Sequence, residues 1–275
     1  MRIKPYPGPL APQVEKIWVI VPFRRVEHFD RMIENFGRQR FPGKRLLIVE
    51  NGPAVGYCLP RLEKGSAVIL TSGEHQSLAK NEAVRWIRSH DGGFFATMDD
   101  DDWYGPGYLD EIAGYAKDYD VLGKQWHFVS LGEGTPDPAL LLLNSRYADQ
   151  DGSWFTGGSI SGWSETATEF PLTEAEDVSW CERMRSAGAR LRSLSVYHYL
   201  YRRSYAGAAH AWGASRDTFE RAVTGSTALE FPVSEGEIDL DLVTGERAPT
   251  EYRLLGQERF IPVDSRELSL VHSRR

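Results

Sequence analysis

Cysteine and long hydrophobic segments are both scarce in this chain of 275 residues. Its two cysteines, Cys58 and Cys181, can form one bridge at most, so we expect two buried free thiols rather than a disulfide-stabilised scaffold. The chain has no run of about 18 apolar residues, which excludes a transmembrane helix. The charged N-terminus lacks the apolar stretch of a secretory signal. These absences predict a soluble, cytoplasmic protein.

A surplus of positive charge is also missing, because 39 acidic residues outnumber 32 Lys and Arg residues and leave a net charge of −7 at pH 7. This balance argues against a protein that binds nucleic acid through a broad basic surface. Hydrophobic residues, Tyr included, form 41% of the chain; counting the 26 Gly in place of the 12 Tyr gives about 46%, a share typical of globular proteins that excludes a disordered, collagen-like or coiled-coil chain.

Short apolar runs alternate with helical patterns in the first hundred residues. Four runs are predicted strands: 17–21, 46–49, 68–70 and 94–98. The spacing of Phe29, Ile33 and Phe36 predicts a helix after the first strand, and residues 78–89 predict another. Strands and helices that alternate in this way form parallel βαβ units. We therefore predict an α/β fold with an open, Rossmann-like and mostly parallel sheet that helices flank.

Beyond residue 104 the local signals are weaker. Residues 157–162 are small and predict a flexible turn, and residues 178–187 predict a helix that Gly188 ends. Apolar and acidic residues alternate over 238–242, and a turn separates them from residues 252–255. This alternation predicts a C-terminal β-hairpin appended to the core.

Four consecutive aspartates, Asp99 to Asp102, follow the fourth predicted strand directly. Ligands of open α/β sheets bind beyond the carboxyl ends of the strands, and Glu50 and Asn51 lie at such an end too. Adjacent carboxylates repel one another unless a cation lies among them, and hard oxygen ligands suit Mg²⁺ or Mn²⁺. The run therefore predicts a divalent metal site, with a solvated acidic loop as the alternative.

A second acidic segment, Glu174 to Asp177, precedes the helix predicted over residues 178–187. Acidic residues favour helix N-termini, where the helix dipole is positive, so Asp177 fits an ordinary cap. A general base is the other interpretation of the same carboxylate. Position and composition alone favour the cap.

The order of these features resembles the family-2-type glycosyltransferases with the GT-A fold, over about residues 15–205. The matching segments stand in chain order: Val19–Phe23, Ile48–Gly52, Leu78–Ala83, Met98–Pro106, Glu176–Asp177 and Tyr201–Arg203. Each segment alone is a weak signal, but six in order are a strong one. The resemblance implies an inverting, metal-dependent transfer of a sugar from a nucleoside-diphosphate sugar to an acceptor hydroxyl.

The resemblance also implies a nucleotide site at the ends of the first two strands. Pro22, Phe23 and Arg24 would line the pocket of the nucleotide base, and Glu50 or Asn51 would hydrogen-bond the edge of the base. The family usually has two aspartates at the last two positions, so the departure leaves the base open. The commonest donors of the family are UDP-linked, and a UDP-sugar is therefore the expected donor.

Asp99 and Asp101 match the D-x-D motif of the family. Asp101 would hold the Mn²⁺ or Mg²⁺ that bridges the diphosphate, Asp99 would hold ribose or metal-bound water, and Asp102 would assist. Asp177 matches the base that activates the acceptor, and one displacement with such a base inverts the anomeric carbon. Four more residues are implied near the donor: Lys80, Asn81, Asp100 and Glu176.

An aromatic and two histidines carry weaker signals. Trp163 lies beside the glycine-rich segment, and its flat face suits a sugar ring, with a place in the core as the alternative. The family often has a histidine soon after the Tyr-Arg pair, whereas here His198 lies upstream and His210 downstream. For each histidine a contact with phosphate or metal and a structural role are both open.

The expected domains are an extended arm over 1–14, a GT-A domain over 15–224 and a C-terminal extension over 225–275. The GT-A domain would have a nucleotide-binding half, about 15–106, and an acceptor half, about 107–224. The extension would cover the acceptor site or mediate self-association into a homo-oligomer. The acceptor stays open among a glycan, a lipid-linked sugar, a protein and a modified nucleic-acid base.

Two other functions compete with glycosyl transfer. A nucleotidyltransferase also binds a nucleotide and Mg²⁺, but it usually has a glycine-rich phosphate loop after its first strand, and Pro22–Arg25 contains no glycine. A non-catalytic module would use the same fold only to hold a glycan or nucleotide. A phosphatase with an Asp-x-Asp-x-Thr motif is disfavoured, because residue 103 is Trp103.

Overall fold

The structure is a computed structural model that describes residues 6, 8, 10–132, 138–143, 150–203, 228–233, 237–254 and 259–262. The chain divides into two compact units. The first unit comprises Pro9–Gln125 and Asp149–Leu194, and the second comprises Met1–Gly8, Trp126–Ala148 and Ser195–Arg275. The domain boundaries expected from the sequence stay a prediction.

The described strands and helices bear out the predicted alternation. The strands are β1 (Ile17–Phe23), β2 (Lys44–Asn51), β3 (Val68–Ser72), β4 (Phe94–Thr97), β5 (Trp103–Tyr104), β6 (Val121–Gly123), β7 (Phe128–Leu131), β8 (Ala139–Leu143), β9 (Gln150–Asp151), β10 (Ser161–Trp163), β11 (Leu191–Ser193), β12 (Tyr199–Arg203), β13 (Ala228–Phe231), β14 (Glu251–Leu254) and β15 (Ile261–Pro262). The α-helices are α1 (Phe29–Gly37), α2 (Gln76–His90), α3 (Tyr108–Tyr115), α4 (Glu176–Ser186) and α5 (Leu240–Thr244).

The sheet of the first unit has the strand order β3-β2-β1-β4-β10-β6-β11-β9. The first four strands pair in parallel, and β10 enters antiparallel between β4 and β6. Two successive antiparallel pairings restore the direction, so β6 runs parallel to β4, and β11 pairs with β6 in parallel. Strand β9 is antiparallel to β11. Six of these eight strands point the same way, which confirms a mostly parallel α/β sheet.

The centre of this sheet is covered on both faces. All seven residues of β1 are buried, as its uniformly apolar sequence predicted. Helix α2 packs Ala83 and Ile87 into one core cluster with Leu47 and Val49 of β2. Burying each large aliphatic side chain contributes about 1.5–3 kcal/mol, and this packing fixes the strand ends that carry the candidate site.

The two cysteines are free and buried, as expected. Burial raises the pKa of each thiol to about 12, because a thiolate is poorly solvated inside the protein. Among the described residues, no helix combines the length and the apolar character needed to span a bilayer.

Helix α1 buries a face other than the one its large apolar residues suggested. Phe29, Ile33 and Phe36 are only half-buried, whereas Met32 and Asn35 are buried. The helical periodicity is correct, but the buried stripe lies one residue earlier. It does so because Asn35 turns inward to hydrogen-bond the chain that follows β4.

Only the first half of the predicted flexible turn is a turn. Gly157–Ser159 forms one turn of 3₁₀ helix, and Ser161–Trp163 is β10 in the middle of the sheet. Gly162 pairs with Phe95, and a Cβ atom on it would lie 3.0 Å from the carbonyl oxygen of Asp120. The small residues here allow close packing of strands rather than flexibility.

The described strands of the second unit follow the order β15-β14-β13-β8-β7-β12. The hairpin predicted between 238–242 and 252–255 is wrong in its first arm, which is helix α5. The Asp239 carboxylate accepts hydrogen bonds from the first turn of α5, and Gly245 ends the helix with φ +78°. These end signals outweigh the apolar alternation. The C-terminal hairpin that the structure has pairs β14 with β15.

Candidate active site

The acidic run lies at the edge of the sheet where the parallel strands end. Because β1 and β4 are parallel neighbours, Arg25 after β1 and Asp99–Asp102 after β4 come together at their carboxyl ends. The first turn of α2 reaches the same edge, since Gln76 Nε2 donates to Asp99 Oδ1 at 3.0 Å. The run therefore lies where the strand pattern predicted it.

Three carboxylates of the run converge. One oxygen from each of Asp99, Asp101 and Asp102 lies within 4.8 Å of the other two. Asp101 and Asp102 are buried and Asp99 is half-buried. The pKa of Asp99 is raised to about 6. Burial is the largest cause, the Lys80 ammonium opposes it, and the neighbouring carboxylates Asp101 and Asp100 raise the pKa further. Hard oxygen donors at this spacing fit the coordination of Mg²⁺ or Mn²⁺.

The fourth carboxylate, Asp100, has a different set of contacts. Its Oδ1 accepts hydrogen bonds from Nε and Nη2 of Arg25 at 3.0 and 2.5 Å, and its Oδ2 accepts from the backbone N–H groups of Arg24 and Arg25 at 3.2 Å. Nη1 of Arg25 donates to Asp101 Oδ2 at 2.9 Å. Burial lowers the pKa of Arg25, but the two carboxylates outweigh it and raise the pKa above its ordinary value. One guanidinium thus holds two adjacent carboxylates.

Helix α1 holds the backbone of the acidic run. Arg31 Nη1 donates to the carbonyl oxygen of Asp101 at 2.9 Å, and Asn35 Nδ2 donates to that of Asp102 at 2.9 Å. Asn35 Oδ1 accepts from the N–H of Tyr104 at 3.1 Å. Buried backbone groups need hydrogen-bond partners, and Asn35 supplies two of them.

A buried tyrosine that the sequence did not single out connects the acidic run to the Gly157–Ser159 turn. Tyr104 Oη accepts from the N–H of Asp99 at 2.6 Å and donates to the carbonyl oxygen of Gly158 at 2.7 Å. A Cβ atom on Gly158 would lie 2.8 Å from Asp99 Oδ2 and 2.9 Å from Tyr104 Oη. Only glycine permits this approach. The signal in the sequence was the position of the tyrosine, two residues after the run.

A second cluster, formed by Lys80, Glu176 and Asp177, lies on the other side of the same turn. Lys80 Nζ is 3.1 Å from Glu176 Oε1 and donates to the carbonyl oxygen of Gly157 at 3.4 Å. Asp177 Oδ2 accepts from the N–H of Gly157 at 3.1 Å, and its Oδ1 accepts from the N–H of Val178 at 2.8 Å. The turn therefore contacts both clusters.

Burial and charge act together in this second cluster. Burial raises the pKa of Asp177, the Glu176 carboxylate raises it further, and the Lys80 ammonium and two backbone N–H groups oppose these effects. Lys80 has no exposed side chain; burial lowers its pKa, but Glu176, Asp99 and Asp177 outweigh burial and raise it. Lys80 thus stays protonated among these carboxylates.

Glu50 and Asn51, at the end of β2, have different roles. Glu50 is buried, and its two carboxylate oxygens accept hydrogen bonds from the N–H groups of Gly56 and Cys58 at 2.6 and 2.5 Å. Asn51 is also buried, and its Nδ2 donates to the carbonyl oxygen of Glu74 at 3.1 Å. Within the described part of the chain, Asn51 Oδ1 has no hydrogen-bond partner. It is a buried acceptor in need of a donor.

The three residues at the end of β1 are placed differently from one another. Pro22 is buried in the strand, and Phe23 is fully buried against the rings of Phe29 and Tyr57. The Arg24 side chain is 53% exposed. Arg24 alone of these three side chains extends to the surface.

Asn81 and Trp163 contact other parts of the first unit. Asn81 exchanges hydrogen bonds with the backbone of Phe170, at 2.9 Å to its oxygen and 2.7 Å from its nitrogen. Trp163 pairs with Phe94, at the opposite end of β4 from Asp99, and its Nε1 donates to the carbonyl oxygen of Ala116.

Of the two histidines that the sequence singled out, the structure describes one. His198 belongs to the second unit, where its N–H donates to the carbonyl oxygen of Val243 at 2.9 Å and its ring meets the edge of Tyr6 at 4.4 Å. His210 lies outside the described residues.

No protein-family model matches the chain, and no curated protein matches its sequence. Among solved structures, the chain is similar to S. aureus TarS 1-349 in complex with UDP-GlcNAc, with 17% identity, a TM-score of 0.53, and 74% of this chain and 64% of that chain covered. For TarS 1-349 in complex with UDP, the identity is 16% and the TM-score 0.50, with 76% of this chain and 63% of that chain covered. For the mannosyltransferase PcManGT from Pyrobaculum calidifontis in complex with GDP-Man and Mn²⁺, the identity is 13% and the TM-score 0.49, with 75% of this chain and 61% of that chain covered.

The chain spans 61 to 64% of the length of these solved chains. At this level of identity the similarity concerns the fold. The chain therefore has the α/β architecture of the GT-A type that its sequence predicted.

Proposed function

We propose that this chain transfers a sugar from a nucleoside-diphosphate sugar to an acceptor hydroxyl, with inversion at the anomeric carbon. The observation that carries the proposal is the pair of clusters on either side of Gly157–Ser159: the triad of Asp99, Asp101 and Asp102, and the carboxylate of Asp177. A displacement of this kind needs a cation site for the leaving group and a separate base for the nucleophile. TarS, which shares the fold, has been solved in complex with UDP-GlcNAc.

The triad supplies the ligands for Mn²⁺ or Mg²⁺. A divalent ion bound there would neutralise charge on the leaving nucleoside diphosphate as a Lewis acid. Tyr104 and Asn35 hold the chain on either side of the ligands, through the N–H of Asp99 and the carbonyl oxygen of Asp102. The ligands are therefore fixed by the fold rather than by a mobile loop.

Asp177 is the base of the proposed reaction. Each of its carboxylate oxygens accepts one backbone N–H, from Gly157 and Val178, which orients the group and leaves further acceptor capacity on both oxygens. Its raised pKa makes the carboxylate a stronger base than an exposed aspartate. Asp177 takes the proton of the acceptor hydroxyl as that oxygen attacks the sugar.

The buried acceptor at Asn51 restricts the nucleotide base. Two backbone N–H groups anchor the Glu50 carboxylate, whereas Asn51 Oδ1 has no hydrogen-bond partner within the described residues, so we assign Asn51 as the acceptor that the end of β2 offers to a base. An acceptor pairs with a donor on the edge of the base: a ring N–H in uracil, thymine and guanine, or the exocyclic amino group in cytosine. Together with the usual donor of the family that the sequence resembles, this favours a UDP-linked donor, with a GDP-linked one next.

Thermal unfolding with UDP, GDP, CDP and dTDP, each with and without Mn²⁺, tests this function. A ligand at 100 times its dissociation constant adds about 2.7 kcal/mol, which raises the midpoint by about 2–4 °C per kcal/mol. We expect stabilisation by UDP or GDP that requires Mn²⁺ and is lost in Asp101→Asn. The absence of a shift with every pair would contradict a metal-dependent nucleotide site.

A further inference from the structure

The Arg25 side chain lies against the acidic run. The guanidinium of Arg25 donates two hydrogen bonds to Asp100 and one to Asp101, all within 3.0 Å. Asp101 also belongs to the triad with Asp99 and Asp102. The same carboxylate is thus shared between a fixed guanidinium and the proposed metal site.

Asp100 holds this guanidinium in place. Its side chain is 2% exposed, and its carboxylate contacts residues 24–28: the N–H groups of Arg24 and Arg25, the Arg25 side chain, and the ring of His28 at 3.5 Å. It contributes no oxygen to the triad. Asp100 therefore ties the end of β1 to the acidic run and sets the direction of the Arg25 side chain.

Arg25 has two opposing effects on a cation at the triad. Its positive charge repels the cation, while its hydrogen bond to Asp101 Oδ2 fixes the orientation of a ligand. The Arg25 side chain is 30% exposed, so water and salt screen its charge, whereas that of Asp101 is 8% exposed and keeps its geometry. Hydrogen-bond partners of metal ligands typically change metal affinity by about 10–100-fold. The orienting effect is therefore the larger.

We infer that Arg25 is a positioning residue of the metal site, which orients Asp101, and that Asp100 acts through Arg25 and binds neither the metal nor the nucleotide. The inference rests on the proposed function, because it takes the triad to be a metal site. It assigns Asp100 a part different from that of its three neighbours in the run. The sequence of four identical residues does not reveal this division.

Mn²⁺ titration of the full chain without nucleotide, followed through the electron paramagnetic resonance signal of unbound Mn²⁺, tests the inference. We expect Arg25→Gln to weaken Mn²⁺ binding about 10–100-fold and Arg25→Lys to weaken it less. An ammonium keeps the positive charge but lacks the planar set of donors with which a guanidinium bonds two carboxylates. Arg40→Gln, which breaks the exposed pair with Asp110 at 3.1 Å, is the matched control and should leave the affinity unchanged. Unchanged or tighter binding in Arg25→Gln would overturn the inference.

The role of Asp100 is tested by combining variants. If Asp100 acts only through Arg25, Asp100→Asn weakens Mn²⁺ binding alone but adds little in an Arg25→Gln background. Additive losses would overturn this part and indicate that Asp100 contacts the metal itself. Thermal unfolding checks that each variant is folded; should Arg25→Gln fail to fold, Arg25→Lys and Asp100→Asn carry the test. If the unaltered chain binds no Mn²⁺, the proposed metal site fails, a result distinct from a bound metal that ignores Arg25.

Discussion

The two charged clusters on either side of Gly157–Ser159 balance their charges differently. In the first, three carboxylates of the acidic run converge, and the Arg25 guanidinium contacts Asp100 and Asp101. In the second, Glu176 and Asp177 surround the buried Lys80 ammonium. The first cluster therefore offers several oxygen ligands to a divalent cation, whereas the second combines an ammonium with two carboxylates and suits proton transfer.

The two basic residues also differ in their exposure. Lys80 has no exposed side-chain surface, whereas 30% of the Arg25 side chain reaches solvent. A buried cation must be paired to be tolerated, so Lys80 and its carboxylates depend on one another for stability. The partly exposed Arg25 depends less on its partners and is better suited to orienting a ligand. Charge type alone would not distinguish these roles.

The largest effect is expected from removing the base of the second cluster. Asp177→Asn should lower kcat by about 10²–10⁴-fold, the range that general bases contribute, and leave the dissociation constant of the Mn²⁺–nucleotide within about twofold. Steady-state kinetics and nucleotide titration measure the two effects. The exposed neighbour Glu174→Gln is the control. A chain without turnover before the substitution would indicate a binding module, and a retained anomeric configuration in the product would contradict the role of Asp177.

Removing the cation of the second cluster should cost more stability than removing that of the first. Lys80→Met leaves a carboxylate pair uncompensated in the interior, and breaking a buried pair in this way costs about 3–5 kcal/mol. Thermal unfolding should show a midpoint about 10 °C lower, at roughly 2–4 °C per kcal/mol. Arg25→Gln should lower the midpoint by less, because solvent reaches its partners. If both variants lower the midpoint equally, the difference in burial between Lys80 and Arg25 does not determine their contributions to stability.

A side chain in the turn between the clusters should disturb the first one. Gly158→Ala places a Cβ atom 2.8 Å from Asp99 Oδ2 and 2.9 Å from Tyr104 Oη, and overpacking of this kind costs about 1–3 kcal/mol. We expect a lower midpoint and weaker Mn²⁺ binding. Gly37→Ala is the matched control, since nothing lies within 4 Å of its added Cβ atom. If Gly158→Ala binds Mn²⁺ normally, the turn does not support the triad.

The smallest effect concerns the pH dependence of turnover. A base acts in its deprotonated form, and burial, followed by the Glu176 carboxylate, raises the pKa of Asp177. The acidic limb of kcat/KM should therefore lie above the pH of an ordinary aspartate. Glu176→Gln removes a negative neighbour and should move this limb to lower pH. If the acidic limb of kcat/KM stays at the same pH in Glu176→Gln, a group other than Asp177 controls it.

The sequence predicted the elements whose signals are local. Continuous apolar runs identified β1 and β2, and the acidic run was recognised at the end of β4 because both features lie within a few neighbouring residues. The end of α5 shows the limit of this approach. The apolar alternation over 238–242 suggested a strand, but the segment forms a helix, because Asp239 caps its N-terminus and Gly245 ends it in the left-handed backbone conformation.

Contacts between distant segments were not predictable from such patterns. Asn35 bonds the carbonyl oxygen of Asp102 across 67 residues, and Tyr104 bonds that of Gly158 across 54. Glu50 or Asn51 was expected at the base, and only the partners of their oxygens distinguish a loop anchor from an acceptor without a partner among the described residues. Partners of this kind depend on tertiary packing, which one sequence does not encode in local periodicity.

The buried thiols make the chain convenient for spectroscopy. With a pKa of about 12, Cys58 and Cys181 hold almost no thiolate at neutral pH, and maleimide reagents react with the thiolate. A single cysteine introduced at Val55, which is 53% exposed four residues after Asn51, would then take up a fluorophore selectively. Such a label would test the proposed nucleotide site by fluorescence, and both native cysteines could stay in place.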